Sequence, residues 1–395
     1  MHIPLEHKYL GREVSEGFES LHKSKAITYV ATGLLGIYLP IFLYELLNQN
    51  FQLTALFFLC GYLIYALTVA IGARYLNSYG FKKALQTATL AGALFYTLFY
   101  FTNESNYKIL LPSIILVQVI YRLLYWTPYQ TDFAKFSSKN HRGSEVSLMG
   151  ATNDIISIFS PLLAAFIITH YSFSALFMVA IALYLLSIIP LFKIPHTKEK
   201  FSWDLKTTWK KFFSKKRRYE MFAFAADGGE GIIGGVVWPI FMFQVLKGNY
   251  LELGLISTFI VCVTIVLQLA IGKCTDNGET SKENILKFGS TFYALGWIFK
   301  IFIATAFQIF IIDAYHKLMK IFMRIPFDAI TYDKAADSGH YVDEFTVLRE
   351  MALNLGRVLM LVLIITISFF TNIQTSFIFG AVASILLNTL RVKTF

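Results

Sequence analysis

Charged side chains are scarce in this sequence. They make up 15% of the 395 residues, whereas soluble domains carry about 25%. Hydrophobic residues are abundant instead, at 56%. About twelve apolar helices of membrane-spanning length would use most of the chain. The composition therefore excludes a sizeable soluble domain.

Cysteines and cofactor motifs are also lacking. The three cysteines are Cys60, Cys262 and Cys274, and their spacing gives neither a disulfide framework nor a zinc site. His170 and His316 stand alone and predict no metal site. No HExxH or GxxxxGK[ST] sequence occurs on any apolar run, which argues against a metalloenzyme and a nucleotide-driven pump. We expect no catalytic residue, no metal and no cofactor.

Twelve long apolar runs, separated by short polar turns, predict an all-α integral membrane protein with twelve transmembrane helices. We number them as segments 1 to 12: residues 26–47, 51–76, 81–102, 109–136, 146–169, 173–192, 219–246, 251–271, 285–306, 307–332, 345–370 and 373–390. The expected parts are an N-terminal stretch (1–25), a six-helix half (26–192), a basic cytoplasmic linker (193–218) and a second six-helix half (219–395). The first stretch is interpreted either as a short helix on the membrane surface or as a disordered tail.

Lysine and arginine are distributed unequally between the two sides of the predicted membrane. If the N-terminus is cytoplasmic, most of the 35 basic residues fall in cytoplasmic stretches, and only Lys108 and Lys247 fall in outer turns. The positive-inside rule then predicts a plasma (inner) membrane protein with both termini cytoplasmic. The net charge of +10 is interpreted as a topology signal and an attraction to membrane lipids, not as nucleic-acid binding.

The two halves contain an internal repeat with a shift of 199 residues. Residues 36–46 of segment 1, GIYLPIFLYEL, return as residues 235–245 of segment 7, GVVWPIFMFQV. The same shift relates Asn77 to Asp276. Further pairs are Glu145 with Glu344 and, at one residue less, Pro128 with Pro326. Since six is an even number, the halves are parallel and related by an axis along the membrane normal.

This architecture resembles the major facilitator superfamily in its two parallel six-helix repeats, its basic central loop and the turn at residues 272–276, GKCTD. The resemblance covers roughly the whole chain. It implies a secondary transporter that works by alternating access, with the acid of this turn, Asp276, holding a cytoplasmic gate through a helix cap and an ion pair. The first-half copy at residues 73–83 has Asn77 instead of the acid. Asn77 can hydrogen-bond but cannot form that ion pair.

Seven basic residues fall within the predicted segments: Arg122, Lys300, Lys317, Lys320, Arg324, Arg349 and Arg357. Each costs about 2.5–3.5 kcal/mol near a helix centre, so we expect them to face a wet cavity or a partner. Helical spacing places several on two polar faces. These faces are Gln118, Arg122, Tyr125, Tyr129 and Asp132 on segment 4, and Asp313, Lys317, Lys320, Arg324 and Asp328 on segment 10.

Superposing the repeat prolines aligns Arg122 with Lys320, which predicts a midplane site for an anionic group. Other predicted substrate contacts are Lys317, Arg324, Tyr125, Tyr129 and Gln118. For Lys317 and Arg324, internal pairing with Asp313 and Asp328 one turn away is an equally good interpretation. A small anionic solute and a monomeric transporter are expected. The alternatives are a lipid or lysolipid flippase and, less favoured, a membrane-embedded lipid-modifying enzyme.

Two carboxylates lie among glycines in segment 7. Glu230, near mid-span, is the predicted main proton carrier, and Asp227 is secondary. Pairing with a basic residue is the alternative for Glu230, and close helix packing is the alternative for the glycines. Near the cytoplasmic ends of segments 4 and 11, Asp132 and Arg349 are predicted to pair in the outward-open state and to separate in the inward-open state.

Overall fold

The computed structural model describes residues 15–136, 142–196, 201–272, 282–337 and 342–391, which form helices and turns without a strand. The first half contains α1 (Glu16–Leu35), α2 (Tyr38–Leu46), α3 (Phe51–Tyr79), α4 (Phe81–Phe101), α5 (Tyr107–Phe136), α6 (Arg142–His170) and α7 (Phe173–Leu191). Helix α8 (Leu205–Phe212) lies in the linker. The second half contains α9 (Arg218–Ile232), α10 (Trp238–Val245), α11 (Tyr250–Gly272), α12 (Lys282–Lys300), α13 (Ala306–Asp337), α14 (Val342–Ser368) and α15 (Ser376–Leu386). The all-helical fold class is confirmed.

Eight of the described helices are long and apolar enough to cross a membrane, or nine if the bent pair α1 and α2 counts as one span. Helices α12 and α13, which carry more charged residues, and the shorter α15 are not among them. The number of twelve spans therefore stays a prediction. Helices α12 and α13 are less apolar than the other spans because their charged side chains have partners inside the protein and do not face lipid.

The internal repeat is visible as matching irregularities. Helices α1 and α2 meet at a bend of 44°, next to Gly36. In the second half, a π-helical turn at Ile233–Val237 separates α9 from α10 and contains Gly235, the repeat partner of Gly36. After α2 and α10, the repeat partners Asn48 and Lys247 both have positive φ, at 55° and 50°. The two copies thus share their local distortions as well as their sequence.

The N-terminal stretch differs from the expectation. Helix α1 begins at Glu16, where the side chain of Ser15 accepts a hydrogen bond from the Phe18 backbone N–H at 3.2 Å, and continues without a break past residue 25. Phe18 and Leu21 are buried against Phe133 of α5 and its neighbours. The expected boundary at residue 25 is therefore corrected: residues 16–25 extend the first segment into the first half, because their apolar side chains find a protein surface there.

The halves contact each other on the side of the molecule opposite the linker. We call the side that carries the linker, the α3–α4 turn and the start of α14 the linker side, and the other the opposite side. Three hydrogen bonds join the halves on the opposite side: Gln244 Nε2 to the Tyr44 hydroxyl at 2.7 Å, Gln52 Nε2 to the Ser368 carbonyl at 3.3 Å, and the Tyr250 hydroxyl to Glu45. These bonds hold the opposite side closed.

Helices α9 and α14 are in direct backbone contact. A Cβ atom added to Gly228 would lie 1.9 Å from the Leu353 carbonyl oxygen, and one added to Gly356 would lie 1.9 Å from the Ala225 carbonyl oxygen. No side chain fits at either position without separating the helices. Close packing therefore accounts for Gly228, whereas Gly231 has nothing within 4 Å of its added Cβ and faces open space.

Replacing Gly228 or Gly356 by Ala should destabilise the protein by about 1–3 kcal/mol or more, because the new methyl group forces α9 and α14 apart. Gly231→Ala is the matched control, and it should be neutral or stabilising by up to about 1 kcal/mol, since Ala is the better helix former. The measurement is the midpoint of thermal unfolding of the purified protein in detergent. Equal midpoints for Gly228→Ala and Gly231→Ala would contradict the backbone contact.

Candidate functional site

A cavity of about 380 Å³ lies where the two halves meet. Its wall combines parts of α1, α2, α3, α4, α5 and the α9–π turn region: Thr32, Leu35, Gly36, Leu39, Pro40, Phe58, Tyr62, Tyr96, Gln118, Arg122, Gly231, Ile232, Gly235 and Val236. The repeat partners Gly36 and Gly235 both belong to this wall. A mostly apolar pocket with a few convergent polar groups is typical of a small-molecule site.

Among the described residues, Arg122 of α5 is the only charged side chain in that wall. Its guanidinium carbon lies 4.3 Å from the centre of the Tyr62 ring, a cation–π contact. Its Nη1 is buried and has no hydrogen-bond partner within the described part of the chain. A buried donor without an acceptor is costly. Arg122 therefore lines the cavity and carries a buried donor that no described residue satisfies.

A second arginine approaches the same ring from the other half. The guanidinium carbon of Arg357, on α14, lies 5.0 Å from the Tyr62 ring centre, and its Nη1 donates to Asn354 Oδ1 at 2.9 Å. Since both guanidinium groups lie close to one ring, their carbons are at most about 9 Å apart, a distance at which like charges still repel noticeably. An anion near Tyr62 would relieve this repulsion.

Within the described residues, every lysine and arginine of α13 has a carboxylate partner. The closest N···O distances are Lys317–Asp313 3.7 Å, Lys320–Glu230 3.7 Å, Arg324–Asp227 2.7 Å, Arg324–Asp328 3.0 Å and Lys334–Glu220 2.9 Å, and Lys300 of α12 joins Asp313 at 2.7 Å. The pairs follow one another along α13 like the rungs of a ladder. We call them the charge ladder. The internal pairs proposed for Lys317 and Arg324 are both present, and each is accompanied by a pair to another helix.

The Lys320–Glu230 pair lies next to the cavity wall, because Glu230 directly precedes the lining residue Gly231. Glu230 is 2% exposed, whereas the Lys320 side chain is 42% exposed. Glu230 also accepts a hydrogen bond from the Tyr293 hydroxyl. The carboxylate is therefore fixed inside the second half, and the ammonium group remains accessible. Lys320 differs from Arg122 in having its charge compensated by the protein itself.

The predicted contacts on segment 4 divide into two environments. Gln118 and Arg122 line the cavity. Tyr125 and Tyr129 instead lie in a cage around Lys25 of α1, whose Nζ is 4.8 Å from the centre of each ring. The rings of Tyr29 and Trp126 complete the cage at 4.8 and 4.9 Å. The linker-side part of this face therefore surrounds a buried ammonium group, and Tyr125 and Tyr129 are not among the described residues that line the cavity.

The predicted gate residues lie apart from the cavity. Asp132 is fully buried in α5, and the guanidinium carbon of Arg349 lies 5.8 Å from the Phe224 ring centre. The pairing of Asp132 with Arg349 in another state stays a prediction. Asn77 exchanges two hydrogen bonds of 2.8 Å with the linker backbone. Asp276 lies outside the described residues.

Sequence reasoning missed Tyr62, Arg357 and Lys25 as parts of these sites. Arg357 was named only as one of seven basic residues within the predicted segments, and Tyr62 was one tyrosine among 22. The burial of Lys25 could have been predicted, because Phe18, Leu21 and Lys25 are spaced by three and four residues and therefore share one face of a helix. For Tyr62 no such signal exists, since its role depends on which helices are neighbours.

Comparison with known proteins agrees with this architecture. A family model described as the Major Facilitator Superfamily matches residues 24–315. The crystal structure of the peptide transporter POT in complex with alafosfalin is similar with a TM-score of 0.66 at 10% sequence identity, over 95% of this chain and 93% of that chain. At this identity the likeness shows the fold alone. No curated protein matches the sequence.

The buried end of the charge ladder should be the most sensitive to loss of a charge. Lys300 is 1% exposed and lies 3.8 Å from the Trp238 ring centre, so Asp313→Asn leaves its ammonium group buried without a carboxylate. The expected loss of stability is about 3–5 kcal/mol. In the control Asp328→Asn, Arg324 retains Asp227, and the loss should stay below about 1 kcal/mol. Thermal unfolding measures both, and equal losses would show that Asp313 does not compensate Lys300.

Proposed function

Since the chain belongs to the major facilitator superfamily and is a secondary transporter rather than an enzyme, we propose that it moves a small anionic solute by alternating access through the cavity at Arg122. The observation that carries the proposal is the buried Nη1 of Arg122, which lacks an acceptor among the described residues. An oxyanion in the cavity would supply that acceptor. It would also neutralise the charge of Arg122, which has no carboxylate partner among the described residues.

The geometry of the two arginines favours a carboxylate or phosphate-like group. A guanidinium group offers parallel donors that match two oxygen atoms of such an anion. Arg122 belongs to the first half and Arg357 to the second, and the Tyr62 ring lies close to both. An anion that contacts both arginines would therefore connect the halves. Such a contact fits a site between halves that move relative to each other.

The Lys320–Glu230 pair suggests how a proton could be coupled to this anion. When Glu230 takes up a proton, the Lys320 ammonium group loses its partner and becomes available to the substrate. When the proton leaves, Glu230 competes again for Lys320. By linkage, protonation then increases substrate affinity, and substrate binding favours protonation by the same factor. Asp227, which holds Arg324 at 2.7 Å, has the secondary role.

The orientation and the gate complete the proposal. We place the linker side in the cytoplasm of a plasma-membrane protein, because the linker is the most basic stretch of the chain. The hydrogen bonds on the opposite side then close the outer face. In the outward-open state, Asp132 and Arg349 would pair and close the linker side. The protein is expected to act as a monomer, since each chain contains both halves of the site.

Arg122→Gln should weaken substrate binding by about 2–5 kcal/mol, because the substrate anion then loses its charged donor. The substrate class is found first by a thermal-shift screen of the purified protein with carboxylates, organic phosphates, lysolipids, neutral amides and amines. Binding of the compounds that stabilise the wild type is then measured in the variant. Lys320→Gln is the companion variant and should weaken binding less at neutral pH.

Two outcomes of this screen would change the proposal. Stabilisation by neutral or cationic compounds alone, or unchanged binding in Arg122→Gln, would overturn the anion site. Stabilisation by lysolipids that depends on Arg122 would favour the flippase alternative over a transporter of soluble solutes.

Glu230→Gln should abolish accumulation driven by a pH gradient but retain exchange of substrate across proteoliposomes. In the wild type, substrate affinity should rise as pH falls, because protonation of Glu230 releases Lys320. In the variant, affinity should be high and independent of pH. Asp328→Asn, which leaves this pair intact, serves as the control. If Glu230→Gln still accumulates substrate against its gradient, the proton is carried elsewhere or the coupling ion is not a proton.

A further inference from the structure

The linker holds both halves of the protein at adjacent residues. Phe201 is bound by Asn77 at the end of α3: Asn77 Nδ2 donates to the Phe201 carbonyl, and the Phe201 N–H donates to Asn77 Oδ1, both at 2.8 Å. Ser202 donates to Glu344 Oε1 of α14 from its N–H at 3.0 Å and its hydroxyl at 2.5 Å. We call these four hydrogen bonds the latch. Since neighbouring residues make them, the latch fixes the distance between α3 and α14 on the linker side.

The latch continues directly into the amphipathic helix α8. Asp204 caps this helix by accepting a hydrogen bond from the Thr207 backbone N–H at 3.0 Å. Hydrogen bonds from the Thr207 side chain and backbone lower the pKa of Asp204, so the cap is charged at neutral pH. Thr208 and Phe212 are buried against the protein. Helix α8 therefore has a defined inner face, and its position is coupled to the latch two residues earlier.

The outer face of this region combines basic and aromatic side chains. From residue 201 to 218, Asp204 is the only acidic residue, whereas seven residues are basic: Lys206, Lys210, Lys211, Lys215, Lys216, Arg217 and Arg218. All of these except Arg217 are exposed. The Phe213 side chain is 71% exposed and stacks on Trp209 with ring centres 5.9 Å apart. Lysines beside exposed aromatic rings are typical of a helix that lies at a membrane interface.

The connectivity places this face at the lipid headgroups. Helix α7 ends at Leu191, and the segment Arg218–Val245 begins with α9; both are long and apolar enough to cross a membrane. The linker between them must therefore lie close to one membrane surface. At the start of α9, the guanidinium carbons of Arg218 and Arg391 lie 4.7 and 5.9 Å from the Tyr219 ring centre, which extends the basic surface to the end of the second half.

We infer that anionic lipid headgroups dock on this linker surface and stabilise the latch, so that the lipid composition of one leaflet biases the conformational equilibrium of the transporter. In a neutral bilayer the aromatic side chains can insert at the interface, but the basic residues have no anionic headgroups to pair with. An anionic bilayer binds the aromatic and the basic side chains together and so holds α8 at the membrane surface. Phe201 and Ser202 then stay bound to Asn77 and Glu344. The arrangement that is closed on the opposite side is then favoured.

Docking is measured first, on the full-length protein in proteoliposomes. Brominated phosphatidylglycerol and brominated phosphatidylcholine are compared as quenchers of the Trp209 fluorescence, obtained as the difference between the wild type and Trp209→Phe. Phosphatidylglycerol should quench more strongly. Lys210→Gln with Lys211→Gln should weaken this preference by about 30-fold, since each basic residue at an anionic surface contributes about fivefold. The matched control, Lys83→Gln with Lys287→Gln, removes two exposed charges from the same side and should change little.

The effect on the latch is measured as a distance. Spin labels at Glu104→Cys and Ala304→Cys, in a background with the three cysteines replaced by Ser, report the separation of the halves on the opposite side. Phosphatidylglycerol should increase the population at the short distance relative to phosphatidylcholine. Asn77→Ala and Glu344→Ala, which break the latch from different halves, should each abolish this shift while Trp209 quenching persists.

Three results would overturn the inference. The first is equal quenching by the two lipids. The second is a quenching preference that soluble glycerol phosphate removes at the same anion concentration, because the surface would then bind free anions. The third is an identical distance distribution in both lipids, which would show that lipid docking does not stabilise the latch. None of these measurements requires the transported solute. A negative result would therefore overturn the lipid inference without affecting the proposed anion site at Arg122.

Discussion

Charge compensation inside an apolar helix bundle is the constraint on which the rest of this structure depends. An ionised side chain removed from water must find an opposite charge or return to water. The second half meets this requirement with the charge ladder, in which helices α9 and α12 each supply partners to α13. The ladder thereby determines how these three helices are oriented. Gly228 and Gly356 then allow α14 to pack directly on α9.

In the described part of the first half, buried cations are stabilised by aromatic rings and not by carboxylates. Lys25 is surrounded by four aromatic rings, and Arg122 lies on Tyr62. Aromatic faces attract cations without neutralising them. The positive charge of Arg122 therefore has no carboxylate partner among the described residues, whereas the lysines and arginines of α13 are paired with carboxylates. The two halves, although similar in sequence, therefore differ in how their buried cations are stabilised.

Much of the architecture could be predicted from the sequence, because apolar periodicity and the repeat are local or regularly spaced signals. Helical spacing also predicted the polar faces of segments 4 and 10, and Arg122 and Gln118 of segment 4 do line the cavity. The partners could not be predicted in the same way. That Lys320 meets Glu230 and that Arg357 meets Tyr62 depend on which helices become neighbours and how each is rotated. Asn77 illustrates the same limit, since its departure from the family acid was visible but its bonds to Phe201 were not.

The Lys300–Asp313 pair has a consequence for how the chain enters the membrane. Helices α12 and α13 are joined by a short turn, and neither is apolar enough to qualify as a span by itself. A single charged side chain opposes partitioning into lipid by about 2.5–3.5 kcal/mol. Lys300 and Asp313, at 2.7 Å from each other, largely compensate each other's charge. Insertion of the two helices as one hairpin thus avoids a barrier that either would meet alone. Loss of the pair should then reduce the amount of protein that reaches the bilayer.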